Sequence, residues 1–414
     1  MLTKRDFLLT TGAGVTALGL RPALAKASSD VVDMSTSVEP ISTAERAARV
    51  EKAQTLMQQK GIAAIVLEPG PSMLYFTAMR WWRSERLTAV IIPAQGTVGV
   101  VTPHFEEPSV RESLDFEPDV RVWNEHESPF QRVAEFLDDC GIPGPVGLER
   151  TVRYFVADGL KSALPNREIV PASPIVNGCR LYKSDHEIAI MQVANNITMA
   201  AYTEVFSKIE TGMTPQTISQ MMNEATIARG GKPSFSMALL NEASAYPHGS
   251  DQPQTVKEGG IILMDCGCSV HGYESDISRT WVHGEPTKKQ KRVWALVRSG
   301  QELALEKAQI GTPAGQIDDA VRGLYTRYGF GPDYQLPGLS HRLGHGIGME
   351  GHEPVNFVRG EMTPLARGMC LSNEPGIYIP GEFGVRLEDC LYMTEDGPKL
   401  FSGLSKSISD PMSV

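Results

Sequence analysis

Two carboxylates, Asp265 and Asp276, lie eleven positions apart in one strand-forming run, MDCGCSVHGYESDISRT. They limit what this chain can fold into. An odd offset puts two residues on opposite faces of a single straight strand. Across a hairpin turning at His271-Gly272, however, the two can face each other. Two like charges held close in a core are costly unless a cation neutralises them. A carboxylate couple on paired strands is therefore what a divalent cation needs.

A second group of chemistry-bearing residues follows further along the chain. Three of the nine histidines, His341, His345 and His352, lie within twelve residues in SHRLGHGIGMEGHEP. Glu374 sits in SNEPG, ahead of a Pro-Gly turn. Glu388 sits in VRLED, inside an apolar strand-like run. A carboxylate that points inward there needs a partner. Singly, each of these has a plain structural reading: a strand Asp or Glu is usually at the surface or ion-paired, and a His beside Gly is usually a satisfied loop residue. Cys266 and Cys268 read as buried strand residues rather than thiol ligands. The weight lies in the combination.

The rest of the chain sets the frame. Its 414 residues suggest two or three domains. A formal net charge of -10, from 39 Lys and Arg against 49 Asp and Glu, argues against a general nucleic-acid binder. Six cysteines without a CxxC pair exclude a disulfide scaffold. Residues 1–25 read as an export signal: Lys4-Arg5, an apolar run from Phe7 to Leu20, then Ala23-Leu24-Ala25. Thr3-Lys4-Arg5-Asp6-Phe7-Leu8 resembles a twin-arginine signal with Lys in place of the first Arg. Export implies a periplasmic enzyme. That run is too short to span a bilayer, and no later stretch is long and apolar enough. Residues 26–41 read as a flexible tail.

Ser42-Thr43-Ala44-Glu45 is a capping-box pattern, opening a helix that runs to Lys60 and stops at Gly61. Strands are expected over 62–67, 87–93, 98–102 and 146–149, with helices over 132–139 and 154–163. Alternating strands and helices make 42–177 an α/β domain. A boundary is expected at Asn177-Gly178. Beyond it come helices over 184–209, 215–228, 287–310 and 314–328, and strands over 260–284. The remainder mixes strands with Gly-rich turns. Residues 178–414 thus read as a second, α+β domain.

The order Asp, eleven residues, Asp, then His, Glu-Pro-Gly and Arg-x-Glu-Asp resembles that of the metal-dependent "pita-bread" peptidases. These include Xaa-Pro dipeptidases (prolidases), Xaa-Pro aminopeptidases and methionine aminopeptidases. The similarity spans roughly 180–400 and opens at Arg180-Leu181-Tyr182-Lys183-Ser184-Asp185-His186-Glu187. Residues 42–177 resemble the creatinase-type N-terminal domain of the proline-specific members. The resemblance implies two divalent metal ions, Mn²⁺ foremost, with Zn²⁺ or Co²⁺ also accommodated by an oxygen-rich site. It implies that Asp265 chelates one metal, that Asp276 and Glu388 bridge both, and that His345 and Glu374 hold the second. His352 then supports the tetrahedral intermediate, His248 and His341 stand on the substrate side, and Arg386 and Tyr378 lie close by.

The implied chemistry is hydrolysis of the Xaa-Pro bond of dipeptides or short peptides by a metal-bridging hydroxide. Glu374 would shuttle a proton and His352 would donate to the developing oxyanion. The implied partners are short proline-containing peptides and a second copy of the chain, as a homodimer. Trp81 and Trp82, between Arg80 and Arg83, read either as core or hinge packing or as an arm reaching an active site. Competing readings are an organophosphate hydrolase or sulfonium lyase on the same fold, or a non-catalytic binding module. The presence of all five implied ligands favours the peptidase.

Overall fold

The computed structural model describes residues 31–414. The segment read as an export signal, 1–25, lies outside the described residues.

In the first half, Ser42 accepts from the Glu45 amide and the Glu45 side chain returns to the Ser42 amide, capping α1 (Thr43–Lys60). Gly61, at φ 66°, ends the helix in the left-handed region. Six strands follow: β1 (Ala64–Leu67), β2 (Ala89–Pro93), β3 (Gly99–Pro103), β4 (Asp119–Trp123), β5 (Val146–Leu148) and β6 (Ile169–Pro171). They form one sheet in the order β4-β3-β2-β1-β5-β6. The helices between and after them are α2 (Pro71–Thr77), α3 (Glu107–Glu112), α4 (Pro129–Cys140), α5 (Tyr154–Ala163) and α6 (Ser173–Arg180). The strand period of two sorts β1 into two cores. Ile65 and Leu67 pack with Met57 of α1 and Ile175 of α6. Ala64 and Val66 pack with Phe136 of α4 and Leu160 of α5.

Two expectations are corrected here. The Asn177-Gly178 boundary falls inside α6, not in a linker. Gly178 is small because the helix presses on α1: a Cβ there would stand 2.9 Å from Leu56 Cδ1. Nor is the stretch before residue 42 a free tail throughout. From Asp33 it is packed. Asp33 caps a short 3₁₀ turn over Met34–Ser37, the Met34 amide donates to Arg229 O, and Ile41 is buried in the core. Scattered apolar residues among Ser and Asp hid that packing.

The second half opens with α7 (Asp185–Phe206), capped by a second capping box, Ser184 and Glu187. Next come α8 (Pro215–Ala228), β7 (Lys232–Leu240), β8 (Gly260–Val270), β9 (Tyr273–Glu274) and β10 (Ile277–His283). Strands β10-β8-β7 form one sheet, and α7 and α8 cover it through Tyr202, Met222, Ile262 and Met264. The sequence alone does not mark β7 as a strand: Pro233 and its polar neighbours break the apolar alternation, and its register with β8 shifts there. Then follow α9 (Lys288–Lys307), α10 (Ala314–Arg327), β11 (Gly344–Gly346), β12 (Glu353–Phe357), β13 (Cys370–Asn373), β14 (Gly376–Ile379), β15 (Phe383–Arg386), β16 (Asp389–Thr394) and β17 (Gly397–Leu400). The second sheet runs β12-β11-β13-β16-β17, and α9 and α10 cover it through Val297, Ile317, Phe357 and Leu391. The two sheets are stitched together where the Glu388 amide donates to Ser278 O over 3.0 Å.

Trp81 and Trp82 stack with ring centroids 4.7 Å apart. Trp81 packs on the first core, whereas Trp82 is 63% exposed. No helix among the described residues is long and apolar enough to cross a membrane.

Candidate metal centre and active site

The β8–β10 hairpin turns at His271 and Gly272, both at positive φ (49° and 91°). Its register pairs Asp265 with Ser278 and Cys266 with Ile277. Asp276, two residues before Ser278, therefore shares the Asp265 face as its diagonal neighbour. Cys266 and Cys268 alternate onto the other face. Cys268 Sγ lies 3.3 Å from Ala194 O of α7, and burial pushes the Cys266 thiol up to about 12. These thiols are inert packing groups. Gly267 between them is required, since a methyl group there would collide with Ser275 O and the Phe235 ring.

The second sheet supplies the other side. Glu388 arrives between β15 and β16, and its Oε2 accepts from Ser278 Oγ at 2.7 Å. Glu374 follows β13 and is held by its amide, which donates to Leu343 O. His345 on β11 is oriented twice. Its amide donates to Ser372 Oγ, and its Nδ1 donates to Gly346 O at 3.0 Å. That bond leaves the Nε2 lone pair facing Asp276 Oδ2 at 3.6 Å and Glu374 Oε1 at 3.4 Å.

A cavity of about 310 Å³ is lined by Asp265, Asp276, His345, Glu374 and Glu388, and also by His248, His341, His352 and Arg386. The fold thus gathers every residue singled out in the sequence for metal or substrate. Within that wall, Asp276, His345 and Glu388 each offer a ligand atom within 4.8 Å of the others. Asp265 and Glu374 stand outside this tight group of three. Asp265 Oδ2 instead accepts from Arg386 Nη2 at 2.7 Å. Arg386 also donates from Nη1 to the Tyr378 hydroxyl (3.1 Å) and from Nε to Ser278 Oγ (2.9 Å). His341 Nδ1 donates to Arg342 O and Nε2 accepts from Tyr378 OH, both at 2.7 Å. His352 lies edge-on to His345, with centroids 4.2 Å apart.

Asp265 Oδ1, Asp276 Oδ1 and Glu388 Oε1 are buried without a hydrogen-bond donor. Burial, and then the neighbouring Glu388 and Asp265, push Asp276 well above the usual carboxylate range. Burial, and then Glu374 and Asp265, do the same to Glu388. Glu374 is raised to about 7 by burial, with Arg386 opposing and Asp265 adding. The imidazoles move the other way: burial, helped by His352, holds His345 down at about 3. Orphaned carboxylate oxygens beside a neutral imidazole lone pair fit a divalent cation, which reverses each of these penalties.

A pH effect follows for metal-free protein. Between the ordinary carboxylate value of 4.5 and about 7, folded Glu374 keeps a proton that the unfolded chain releases. The stability that this proton contributes therefore falls as pH rises through that window, whereas His345 and His341, held down at about 3, act in the opposite sense below the ordinary imidazole value of 6.5. Thermal melts in chelator should show wild type losing more Tm between about pH 5 and about pH 8 than Glu374→Gln, which keeps the same histidines, and saturating Mn²⁺ should remove that excess loss. Identical pH dependence with and without Mn²⁺ would exclude cation binding at these carboxylates.

The primary structure alone does not single out Ser278 or Arg342. Ser278 is recognisable only once the hairpin register makes it the partner of Asp265. Arg342 lies beside His341 in the His-Gly run, and its role depends on contacts that the run does not reveal.

Residues 189–395 match the model of metallopeptidase family M24, and residues 49–182 match that of the creatinase/prolidase N-terminal domain. The chain is 30% identical over 367 residues to the Xaa-Pro dipeptidase of Lactobacillus helveticus, covering 87% of this chain and 98% of that protein. Among solved structures, dipeptidase PepE from Mycobacterium ulcerans superposes with a TM-score of 0.83 at 29% identity, covering 90% of this chain and 98% of that one. The prolidase from Thermococcus sibiricus gives a TM-score of 0.79 at 26% identity, with coverage of 86% and 97%.

Proposed function

The chain belongs to metallopeptidase family M24, with a creatinase-type N-terminal domain ahead of a pita-bread catalytic domain, and from that premise we propose that it hydrolyses the Xaa-Pro bond of short proline-containing peptides. In this reading Asp265, Asp276, His345, Glu374 and Glu388 hold two divalent cations, Mn²⁺ foremost. The observation that carries it is the set of three buried carboxylate oxygens without a donor, on Asp265, Asp276 and Glu388, two of whose residues share with His345 the tight group of ligand atoms. When bound, the cations supply an activated water and polarisation of the scissile carbonyl.

The chain's own side chains do the remaining work. Glu374 takes a proton from water and returns it to the departing proline nitrogen. His352 donates to the carbonyl oxygen as negative charge develops there. Arg386 holds Asp265 directly and Glu388 through Ser278, so one guanidinium orients two carboxylates. Tyr378 ties His341 to that same guanidinium. The bond before proline has no N–H, so recognition falls on the shape of the ring. The proposal includes a homodimer, on the family resemblance, and export to the periplasm, on the basic and then apolar residues 4–20.

The test is hydrolysis of alanyl-proline against alanyl-alanine, with protein stripped by chelator and then reloaded with Mn²⁺. Activity should return only on reloading, and alanyl-proline should be preferred by about 10²-fold or more. Full turnover in chelator, or equal rates on the two dipeptides, would refute the reading.

A further inference from the structure

We infer that a buried ion network of Arg180, Lys183 and Glu353 positions the His352 ring, so that the last helix of the N-terminal domain is a working part of the catalytic site. This rests on His352 as the oxyanion donor of the reading above, and adds the residues that place it.

His352 ends the loop that leaves β11 after His345, and its ring packs edge-on to His345 with centroids 4.2 Å apart. No side chain among the described residues hydrogen-bonds that ring, so its aim depends on the backbone that carries it. The next residue, Glu353, is the hub of that backbone. Its Oε1 accepts from the amides of Met349 (2.9 Å) and Glu350 (3.3 Å), which folds the loop around the carboxylate. The same oxygen accepts from Arg180 Nη2, and Oε2 accepts from Lys183 Nζ at 2.9 Å. Arg180 Nη2 also donates to Glu350 Oε2 at 2.8 Å. Two cations thus face two carboxylates of one loop, and Arg180, Lys183 and Glu353 are all buried.

Neither cation comes from the sheet that carries the His352 loop. Arg180 closes α6, inside the region matched by the creatinase/prolidase N-terminal domain. Its Nη1 donates to Ser72 Oγ at 2.8 Å, which ties the guanidinium back to α2. Lys183 follows in the junction between the two domains, where its amide donates to Gly368 O. A planar fork held on one edge by its own domain can set a carboxylate on the other. The loop is fixed at its start as well: the Ile347 amide donates to Cys370 O at 3.0 Å, and Gly348 O accepts from the Glu274 amide at 2.8 Å. Gly348 also leaves room for the network, since a Cβ there would stand 2.7 Å from Lys183 Cε and 2.8 Å from Glu353 Oε2. A buried ionic network adds little net stability over an apolar one, and its best-attested use is to fix one arrangement against others. The arrangement fixed here is that of His352 beside His345 in the cavity wall.

The test measures Mn²⁺-loaded wild type, Arg180→Met, Arg180→Lys and Gly348→Ala on alanyl-proline. Arg180→Met should lower kcat about 10-fold or more, with KM within about twofold of wild type and Mn²⁺ content unchanged. Arg180→Lys, which keeps a cation beside Glu353 but loses the fork, should fall between the two. Gly348→Ala removes no charge, yet should lower kcat in the same way by forcing Lys183 and Glu353 apart. It carries the test if Arg180→Met does not fold. Amide exchange reads the loop without turnover: the Met349 and Glu350 amides should exchange about 10-fold faster or more in Arg180→Met. In a His352→Ala background, Arg180→Met should change kcat by no more than about twofold, because it acts through the ring already removed. A full further loss in that background, a loss confined to KM, or wild-type exchange at those two amides would overturn the inference. If wild type cleaves no Xaa-Pro bond and Arg180→Met still frees those amides, the network stands as the anchor of His352 and the peptidase reading alone falls.

Discussion

Exchanging Glu388 for Gln should abolish divalent-cation retention and lower Xaa-Pro hydrolysis by about 10³-fold or more. The substitution keeps the shape, and the Gln carbonyl still accepts from Ser278 Oγ, the bond that now holds Oε2. What changes is Oε1, which is buried and has no donor of its own. An amide NH₂ in that place turns a cation ligand into a group that repels one. Asp276→Asn should act in the same way, since its Oδ1 is equally orphaned. Metal content by mass spectrometry and kcat/KM on alanyl-proline read the two effects separately. The metal-free variants should also melt higher than metal-free wild type, because a carboxylate that burial and like charges disfavour has gone. Full turnover with a normal metal complement in either variant would remove the substituted residue from the ligand set.

Asp389→Ala should cost about 3–5 kcal/mol of stability, the typical penalty for stripping the partner from a buried charge. Arg279 and Asp389 are both 0% exposed and pair at 2.7 Å. Asp389 also accepts from Gln301 Nε2 at 2.8 Å and from Ser402 Oγ. Arg279 Nη1 in turn donates to Glu388 O at 2.8 Å. The pair pins the backbone of the proposed ligand from behind, while its side chain faces the cavity. Removing one partner strands the other charge. Replacing both, as Arg279→Met with Asp389→Leu, should cost less than Asp389→Ala alone. Denaturant titrations decide this. A loss below about 1 kcal/mol for Asp389→Ala would mean that water reaches Arg279 and that the pair is not structurally important.

Much of the fold was readable because its signals are local. A capping box needs four consecutive residues, so Ser42 and Glu45 announced α1 without tertiary information. The His271-Gly272 turn did the same for the hairpin, and with it the shared face of Asp265 and Asp276. Signals that depend on a distant neighbour were misread or missed. Gly178 looked like a break because its reason for being small is Leu56, on another helix. Asp33 to Ile41 looked free because their partners lie far along the chain, at Arg229 and in the main core. β7 was overlooked because a strand half exposed along its length carries little apolar pattern.

By itself the amino-acid order determined the two-domain layout and which side chains have the chemistry to hold cations, since residue type and short-range spacing carry that information. Tertiary structure alone decided which of their atoms remain available. Arg386 and Arg342 are the same residue type, yet one is enclosed by four acceptors and the other keeps an open edge. His345 presents Nε2 rather than Nδ1 because Gly346 O happens to accept from the latter. Hydrogen bonding saturates, so a group's remaining capacity depends on every neighbour the fold brings within about 3 Å.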